Sequence, residues 1–193
     1  MSSSSPSADR RSEILDAALA CFLEQGYLAT SIADIRRESG ASTGSIYHFF
    51  DNKGALALAL VERAIGGWSG RSGVAVDPDA AAETAIKASV SGLVRWGLAN
   101  PAALRFLDEV RGLATADASL APVAGLLARG NEAARARYAL FVARGEVRDL
   151  PWPLAHALML GPAYDFLRLA GDRAPPGAEL ALADAAWNAI RAP

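Results

Sequence analysis

The side chains best suited to chemistry lie in one short stretch, on one side of a predicted helix. Ser42 is a good N-cap for this helix, and Ile46 and Phe50 supply its apolar side. The opposite side carries small or hydrogen-bonding residues, namely Thr43, Gly44, Ser45, Tyr47 and His48. Such residues suit the edges of DNA bases better than they suit a protein core.

Catalytic chemistry has little support in the sequence. The chain contains two histidines, His48 and His156, and one cysteine, Cys21. These residues are too few for a metal site or a catalytic triad, and no glycine-rich phosphate loop occurs. Glu132, Asp165 and His156 could do acid–base work, but they fit better as groups that orient a ligand or as ordinary surface residues. We therefore expect no catalytic residue, no metal and no cofactor.

Two short predicted helices position the outward side chains. Ser31 can cap the first helix, and Asp34 follows three residues later, as in a capping box. Gly40 lies where a left-handed residue would end this helix, and Ser42 starts the next helix almost at once. Two helices joined by so short a turn must cross steeply, which predicts a helix-turn-helix. The alternative is a buried helical hairpin that binds no nucleic acid.

Composition predicts a helical protein throughout. The chain has 193 residues, 52% of them hydrophobic, and no alternating runs that would indicate strands. Its formal net charge is −2, so nucleic-acid binding would depend on local cations such as Arg10, Arg11, Arg36, Arg37 and Lys53. Neither a signal peptide nor an apolar run long enough to span a membrane is apparent. We therefore expect a soluble, cytoplasmic protein.

The sequence divides into three predicted parts. Residues 1–9 are rich in serine and are predicted to form a disordered arm. With Arg10 and Arg11, this arm either touches DNA or serves only as a solubilising tail. Residues 10–55 form the predicted helix-turn-helix domain, and residues 56–193 form a larger helical domain with five further helices.

One predicted helix connects these domains. Asn52 can cap this helix, which would run to about Gly66. The glycines at 66, 67 and 70 then predict a break that extends to Asp77. Among the later helices, one would be interrupted near Gly130 and another kinked at Pro162.

The run from Gly40 to Lys53 resembles the signature of the TetR family of transcriptional regulators. Upstream, Ile14 to Tyr27 and Thr30 to Ile35 are similar to the first two helices of that family. The resemblance covers about residues 10–65. It implies an all-α fold with an N-terminal three-helix helix-turn-helix DNA-binding domain and a C-terminal helical ligand-binding and dimerisation domain.

The resemblance, together with the chemistry of the side chains, predicts a set of DNA-binding residues. These are Thr30, Ser31, Arg36, Ser42, Thr43, Gly44, Ser45, Tyr47, His48 and Lys53. Tyr47 and Lys53 would hold phosphates, and Thr30 and Ser31 would also meet the DNA backbone. The residues that would face base edges are Thr43, Gly44, Ser45 and His48. Ser42 is either a contact or only a cap. Arg36 replaces a small residue of the family pattern and either binds phosphate or is solvated.

Gly54 is a second departure from the family pattern, which commonly has an acidic residue after the lysine. A glycine here weakens the start of its helix by about 1 kcal/mol relative to alanine.

The resemblance also implies a ligand cavity among the later helices. The predicted ligand-binding residues are Trp96, Phe106, Tyr138, Phe141, Trp152, His156, Met159 and Tyr164. The same side chains are also what any helical core contains, and for each residue taken singly core packing is the more common role.

The last two helices are too apolar to lie on the surface of a monomer, which predicts a homodimer through a four-helix bundle. The predicted interface residues are Leu158, Leu167, Leu182, Trp187 and Ile190. We therefore expect a ligand-responsive transcriptional regulator, most simply a repressor. It would bind a palindromic operator as a homodimer and be released by a small apolar or amphipathic effector. An activator, or a DNA-binding protein whose second domain only dimerises, are the open alternatives.

Overall fold

The chain folds into a succession of α-helices. The computed structural model describes residues 6–71 and 79–193. Within these ranges the helices are α1 (Pro6–Gln25), α2 (Ile32–Ser39), α3 (Thr43–Phe49), α4 (Lys53–Arg71), α5 (Ala82–Ala99), α6 (Pro101–Leu113), α7 (Ala121–Ala143), α8 (Trp152–Ala170) and α9 (Ala178–Ile190). Short 3₁₀ turns occur at Ala118–Leu120 and Gly171–Arg173. The described residues contain no strand, which confirms the predicted all-α fold.

The first helix begins earlier than predicted. α1 starts at Pro6, so residues 6–9 are helical and do not belong to a disordered arm. Proline suits the first helical position because its fixed φ matches the helix and its missing N–H would have no partner there. Asp9 adds a negative charge in the first turn, where it complements the helix dipole. Residues 1–5 of the predicted arm lie outside the described residues.

The helix-turn-helix forms through the predicted caps. The hydroxyl of Ser31 accepts the backbone N–H of Asp34 at 3.2 Å, and the Asp34 carboxylate accepts the N–H of Ser31 at 3.0 Å. Gly40 ends α2 with a left-handed φ of 61°. The hydroxyl of Ser42 then accepts the N–H of Ser45 at 3.0 Å. The capping box, the left-handed glycine and the second cap are all confirmed.

Helix α4 continues through the glycines that were predicted to break it. It extends past Gly66 and Gly67 to Arg71. At Gly67, a Cβ atom would lie 2.7 Å from Nε1 of Trp96, so the glycine allows close packing on α5. The rest of the predicted break, residues 72–78, lies outside the described residues. Helix α7 is likewise uninterrupted at Gly130.

The helices form two compact units whose boundaries differ from the predicted domains 10–55 and 56–193. The first unit comprises the described residues before Ile65 together with Ala102–Leu127. The second comprises the described residues of Ile65–Pro101 and Ala128–Pro193. Residues 102–127, which were predicted to belong to the second domain, therefore fold with the helix-turn-helix.

Aromatic packing explains why α6 belongs to the first unit. The ring of Phe22 in α1 stacks on that of Phe106 in α6, with centroids 5.4 Å apart. The backbone N–H of Tyr27 donates to the Glu109 carboxylate at 2.7 Å, and the Tyr27 hydroxyl bonds to that of Ser119 at 2.8 Å. Phe106 is thus a core residue of the first unit, which contradicts its prediction as a ligand-binding residue.

The core of the second unit forms where α5, α8 and α9 pack together. Val90 and Leu93 of α5 are buried there, as are Leu167 of α8 and Ile190 of α9. A Cβ atom at Gly97 would lie 2.7 Å from Cδ1 of Leu167, so α5 and α8 pack very closely. Leu167 and Ile190 therefore stabilise the protomer itself, which contradicts their prediction as dimer-interface residues.

Candidate nucleic-acid interface and ligand cavity

The outer face of α3 is exposed and rich in hydrogen-bonding groups. Ile46 is fully buried, which fixes the rotation of the helix. Thr43, Gly44, Tyr47 and His48 consequently lie at the surface, and the Tyr47 side chain is 50% exposed. This geometry agrees with the predicted outward face, except that Ser45 is only half exposed.

Two of the predicted DNA-binding residues, Ser31 and Ser42, also cap helices. Ser31 and Ser42 are exposed, but each hydroxyl accepts a backbone N–H at the start of its helix. The Ser31 hydroxyl also donates to the Asp34 carboxylate at 2.5 Å. These hydrogen bonds, with that from Arg37, lower the pKa of Asp34 from 3.8 to about 2. Helix capping is therefore an observed role of both serines, and a DNA contact by either one stays a prediction.

Arginines surround the helix-turn-helix. Arg10 donates to the Gly40 carbonyl at 3.1 Å and pairs with Glu13. The guanidinium of Arg11 lies 5.1 Å from the centre of the Phe50 ring. Arg36 and Arg37 are exposed on α2, and Arg37 pairs with Asp34 at 2.7 Å. Local positive charge thus accompanies α3 although the whole chain is slightly acidic.

Lys53 has a different role from the predicted phosphate contact. Its ammonium donates to the carbonyls of Tyr27, Leu28 and Thr30 at 2.7, 3.0 and 2.9 Å. An ammonium has three N–H donors, so these carbonyls occupy all of them. The same ammonium lies 4.5 Å from the centre of the Tyr27 ring. Lys53 therefore ties α4 to the loop before α2, and we propose this structural role in place of the phosphate contact.

Thr30 is the second predicted DNA contact that the structure reassigns. Its side chain is buried, with 2% exposure. The hydroxyl oxygen lies 3.1 Å from the carbonyl oxygen of Cys21 and 2.8 Å from that of Gly26, and its one hydrogen is shared between these two acceptors. Thr30 thus closes the loop between α1 and α2 and presents no hydroxyl to a DNA backbone.

A cavity of about 120 Å³ lies within the second unit. Five predicted ligand-binding residues line it, namely Tyr138, Phe141, Trp152, His156 and Met159. Sequence reasoning missed the wall that α5 provides, namely Ala85, Ile86, Ser89 and Val90. It also missed Ala134 and Arg137 of α7 and Leu160 of α8. Spacing of three and four residues in α5 was a signal for a shared face, but it could not distinguish a cavity wall from core.

Two predicted ligand-binding residues of the second unit lie outside the cavity lining. Trp96 is buried against Gly67, and Tyr164 is half-buried on α8. Phe106 belongs to the other unit, as described above. An aromatic residue on a helix is thus a weak predictor of a cavity, because packing against neighbouring helices uses the same side chains.

Large apolar side chains are exposed on the last two helices. Leu169 of α8 and Leu180 of α9 are 79% and 60% exposed, and Leu154 is also exposed. The predicted interface residues Leu158, Leu182 and Trp187 are half-buried on the same two helices. These residues form an apolar surface on α8 and α9 that the protomer does not cover.

A membrane span and a metal centre are both absent from the described part of the chain. No helix in residues 6–71 or 79–193 is both long and apolar enough to cross a membrane. In the same ranges, no three His, Cys, Asp or Glu side chains come together in a way that could hold a metal ion.

Comparisons with known proteins connect the helix-turn-helix to a family. The model of the family described as "Bacterial regulatory proteins, tetR family" matches residues 14–60. The HTH-type transcriptional regulator YxaF of Bacillus subtilis is 50% identical over 54 residues, which are 28% of each chain. The HTH-type transcriptional repressor KstR2 of Rhodococcus jostii is 45% identical over 47 residues, or 24% of this chain and 23% of that one. The similarity thus spans about a quarter of the length of these relatives.

The fold as a whole also has a counterpart among solved structures. A TetR family transcription regulator from Marinobacter aquaeolei superposes with a TM-score of 0.73 at 18% identity, covering 96% of this chain and 97% of that one. At this identity the likeness concerns the fold. Residues 14–60 thus match the TetR family of transcriptional regulators, and the chain as a whole shares the fold of such a regulator.

Proposed function

We propose that the protein is a transcriptional repressor that binds a palindromic DNA operator as a homodimer. The observation that carries this proposal is the outer face of α3, where Thr43, Gly44, Tyr47 and His48 are open to solvent. A short helix with this face, held by a capped helix-turn-helix, has the form that enters a major groove. Because operator DNA is the proposed partner, we propose a cytoplasmic location.

The homodimer is supported by the uncovered apolar surface of α8 and α9. Exposed leucines such as Leu169 and Leu180 are costly in water and are typical of an interface. Two copies of the two helices would form a four-helix bundle around a twofold axis. A twofold protein binds two half-sites of opposite orientation, which is why the operator is proposed to be palindromic.

Release by an effector is supported by the cavity of the second unit and by the continuity of α4. The residues of α4 up to Ala64 belong to the first unit, and Ile65 onwards belong to the second. A ligand that favours one arrangement of α4 over another would change DNA affinity. A hundredfold loss of affinity requires about 2.7 kcal/mol of such preference.

A selection experiment tests the DNA-binding part of the proposal. Duplexes enriched from a random pool by the purified chain should contain two inverted copies of one half-site. Thr43→Ala should enrich a different half-site, because Thr43 is proposed to contact bases. Tyr47→Phe should weaken all duplexes alike, because its hydroxyl is proposed to contact phosphate. Failure of the parent chain to enrich any sequence would refute the proposal.

The salt dependence of binding decides the role of Arg36. If Arg36 contacts phosphate, Arg36→Gln should reduce the slope of log K against log salt by about one. An unchanged slope would assign Arg36 to the solvated surface of α2.

A reporter assay separates a repressor from an activator. With the enriched site placed within a promoter, expression of the protein should lower transcription, whereas an activator would raise it. Operator binding that no cavity ligand alters would instead support a protein whose second unit only dimerises.

A further inference from the structure

Helix α3 is short and is held by little apolar surface of its own. It has seven residues, and of these described positions Ile46 alone is buried. Phe50, which directly follows the helix, is the next buried side chain. A single buried residue fixes which side of a helix points inwards but leaves the tilt of the helix axis weakly determined. The orientation of α3 therefore depends on contacts at its two ends.

Arg10 of α1 contacts the chain just before α3. Its Nη2 donates to the carbonyl oxygen of Gly40 at 3.1 Å, three residues ahead of Thr43. Its Nη1 pairs with the Glu13 carboxylate at 2.7 Å, which helps to orient the guanidinium. The positive charge on the donor strengthens the hydrogen bond to the carbonyl. Arg10 therefore ties the turn from which α3 begins to α1.

Arg11, the next residue, contacts the chain just after α3. The central carbon of its guanidinium lies 5.1 Å from the centre of the Phe50 ring. A guanidinium at this distance is attracted electrostatically to the face of an aromatic ring. Phe50 ends α3, and its backbone N–H donates to the carbonyl of Ile46 at 2.9 Å. Successive side chains of a helix point about 100° apart, which lets these two neighbouring arginines reach opposite ends of α3.

We propose that Arg10 and Arg11 are positioning residues for DNA recognition, which hold α3 at both ends and set the angle at which its outer face meets the groove. This role presupposes the DNA-binding function proposed above and gives the two arginines a part in sequence discrimination. Groups that recognise a partner must be held within about 0.5 Å of the productive geometry, so a small rocking of α3 would misplace Thr43 and His48 against base edges. Both contacts lie near the surface and should contribute little to global stability.

Hydrogen–deuterium exchange without DNA tests the contacts themselves. In Arg10→Gln/Arg11→Gln the backbone amides of α3 should exchange about fivefold faster than in the parent, because both ends of the helix are released. Arg63→Gln is the matched control, since this exposed arginine of α4 also pairs with α1, through Asp16 at 2.6 Å. The α3 amides of this control should exchange at the parent rate. Equal exchange of α3 in the two variants would overturn the inference.

Affinity for two duplexes tests the part in discrimination. The affinity for the duplex that the parent selects, divided by that for a scrambled duplex, should fall about tenfold in Arg10→Gln/Arg11→Gln. This ratio should be unchanged in Arg63→Gln, and the midpoint of urea unfolding should stay close to that of the parent in Arg10→Gln/Arg11→Gln. If the two arginines contacted phosphates instead, both affinities would fall alike and the slope of log K against log salt would drop by about two. An unchanged ratio would overturn the inference.

A double-mutant cycle with Phe50 tests whether Arg11 acts through that ring. Phe50→Leu keeps an apolar side chain in the core but removes the ring face that the guanidinium contacts. The losses in the affinity ratio caused by Arg11→Gln and by Phe50→Leu should overlap, so that the double variant is little worse than either single variant. Losses that multiply would mean that Arg11 acts independently of Phe50, which would overturn its positioning role.

These outcomes are separable from those of the proposed function. If α3 exchanged faster in Arg10→Gln/Arg11→Gln but the parent chain selected no DNA sequence, the arginines would still hold α3 and the failure would belong to the proposed function. If the parent chain selected a duplex but the variant kept the parent's affinity ratio, the inference would be overturned and the DNA-binding role would stand.

Discussion

At the scale of single residues, Asp34 connects helix capping to acid stability. Its pKa in the fold is about 2, compared with 3.8 ordinarily, because Ser31 and Arg37 hydrogen-bond to the ionised carboxylate. A folded-state pKa below the unfolded value means that the ionised group stabilises the fold above about pH 4. That contribution is lost as the pH falls towards 2.

Urea unfolding at several pH values measures this contribution. Asp34→Asn should be less stable than the parent at pH 7, and the difference should diminish between about pH 4 and pH 2. In a Ser31→Ala background the same substitution should have a smaller effect, because the capping box is already broken. A difference that stays constant down to pH 2 would contradict the assignment.

Lys53 provides a second prediction at this scale. Lys53→Met keeps the length of the side chain but removes three charge-assisted hydrogen bonds to carbonyls. The free energy of unfolding should fall by about 2 kcal/mol, while the salt slope of DNA binding should not change. If stability were unchanged and the slope fell by about one, Lys53 would be a phosphate contact after all.

At the scale of elements, Gly54 shows how the first unit fits together. A Cβ atom at this position would lie 2.2 Å from the backbone oxygen of Ser119, in the turn before α7. The departure from the family pattern at this position therefore has a steric reason. Gly54→Ala should lower the free energy of unfolding by about 1–3 kcal/mol, because backbone atoms must move.

Gly112→Ala is the control for this prediction. Gly112 lies in α6, in the same unit, and a Cβ atom added there would have no other atom within 4 Å. This substitution should leave stability equal to or greater than that of the parent. Equal stability of both variants by chemical denaturation would mean that the turn before α7 does not pack on α4.

The elements that sequence predicted well are those fixed by local signals. Ser31, Gly40 and Ser42 set the ends of α2 and α3 through contacts within a few residues. The wrong predictions concern residues whose packing partners are distant in the sequence. From the sequence alone, Gly67 was predicted to break the helix. In the structure its close contact with Trp96 explains why a glycine occurs inside α4. Phe106 was predicted to line a ligand pocket, because its packing partner Phe22 lies 84 positions earlier in the chain and is not evident from local sequence.

The residues of the candidate site were likewise predictable where local signals fix them and unpredictable where distant contacts do. The outer face of α3 follows from the spacing of Ile46 and Phe50, so it was predictable. The reassignment of Lys53 was not, because the three carbonyls that it contacts belong to a loop whose path depends on tertiary packing. Arg137 was missed because a single arginine on a polar helix resembles a solvated residue.

At the scale of the whole molecule, the uncovered apolar surface of α8 and α9 predicts a dimer. Leu180→Lys should raise the dissociation constant of the dimer by about tenfold or more, because a charge would be buried in the interface. Leu140→Lys is the matched control, since Leu140 is 54% exposed on α7 and is not part of that surface. Sedimentation at micromolar concentration compares the two variants. A monomeric parent chain, or equal effects of both substitutions, would contradict this interface.

The outer face of α3 is proposed to approach DNA closely, and substitution of Gly44 tests this proposal most directly. A Cβ atom added at Gly44 would meet only the Ser42 hydroxyl oxygen, at 4.0 Å, so alanine fits the folded chain. At Gly130 in α7 the added atom would meet nothing within 4 Å. Gly130→Ala is therefore a control that makes the same substitution in a helix distant from α3 in the sequence. Both Gly44→Ala and Gly130→Ala should unfold at the same denaturant concentration as the parent or a higher one.

The decisive measurement is the affinity of these two variants for the duplex that the parent chain selects. Fluorescence anisotropy should show that Gly44→Ala binds about tenfold more weakly, because its methyl group occupies the space where helix and groove meet. Gly130→Ala should bind like the parent. If Gly44→Ala bound the duplex as tightly as Gly130→Ala does, α3 would not be the surface that reads DNA.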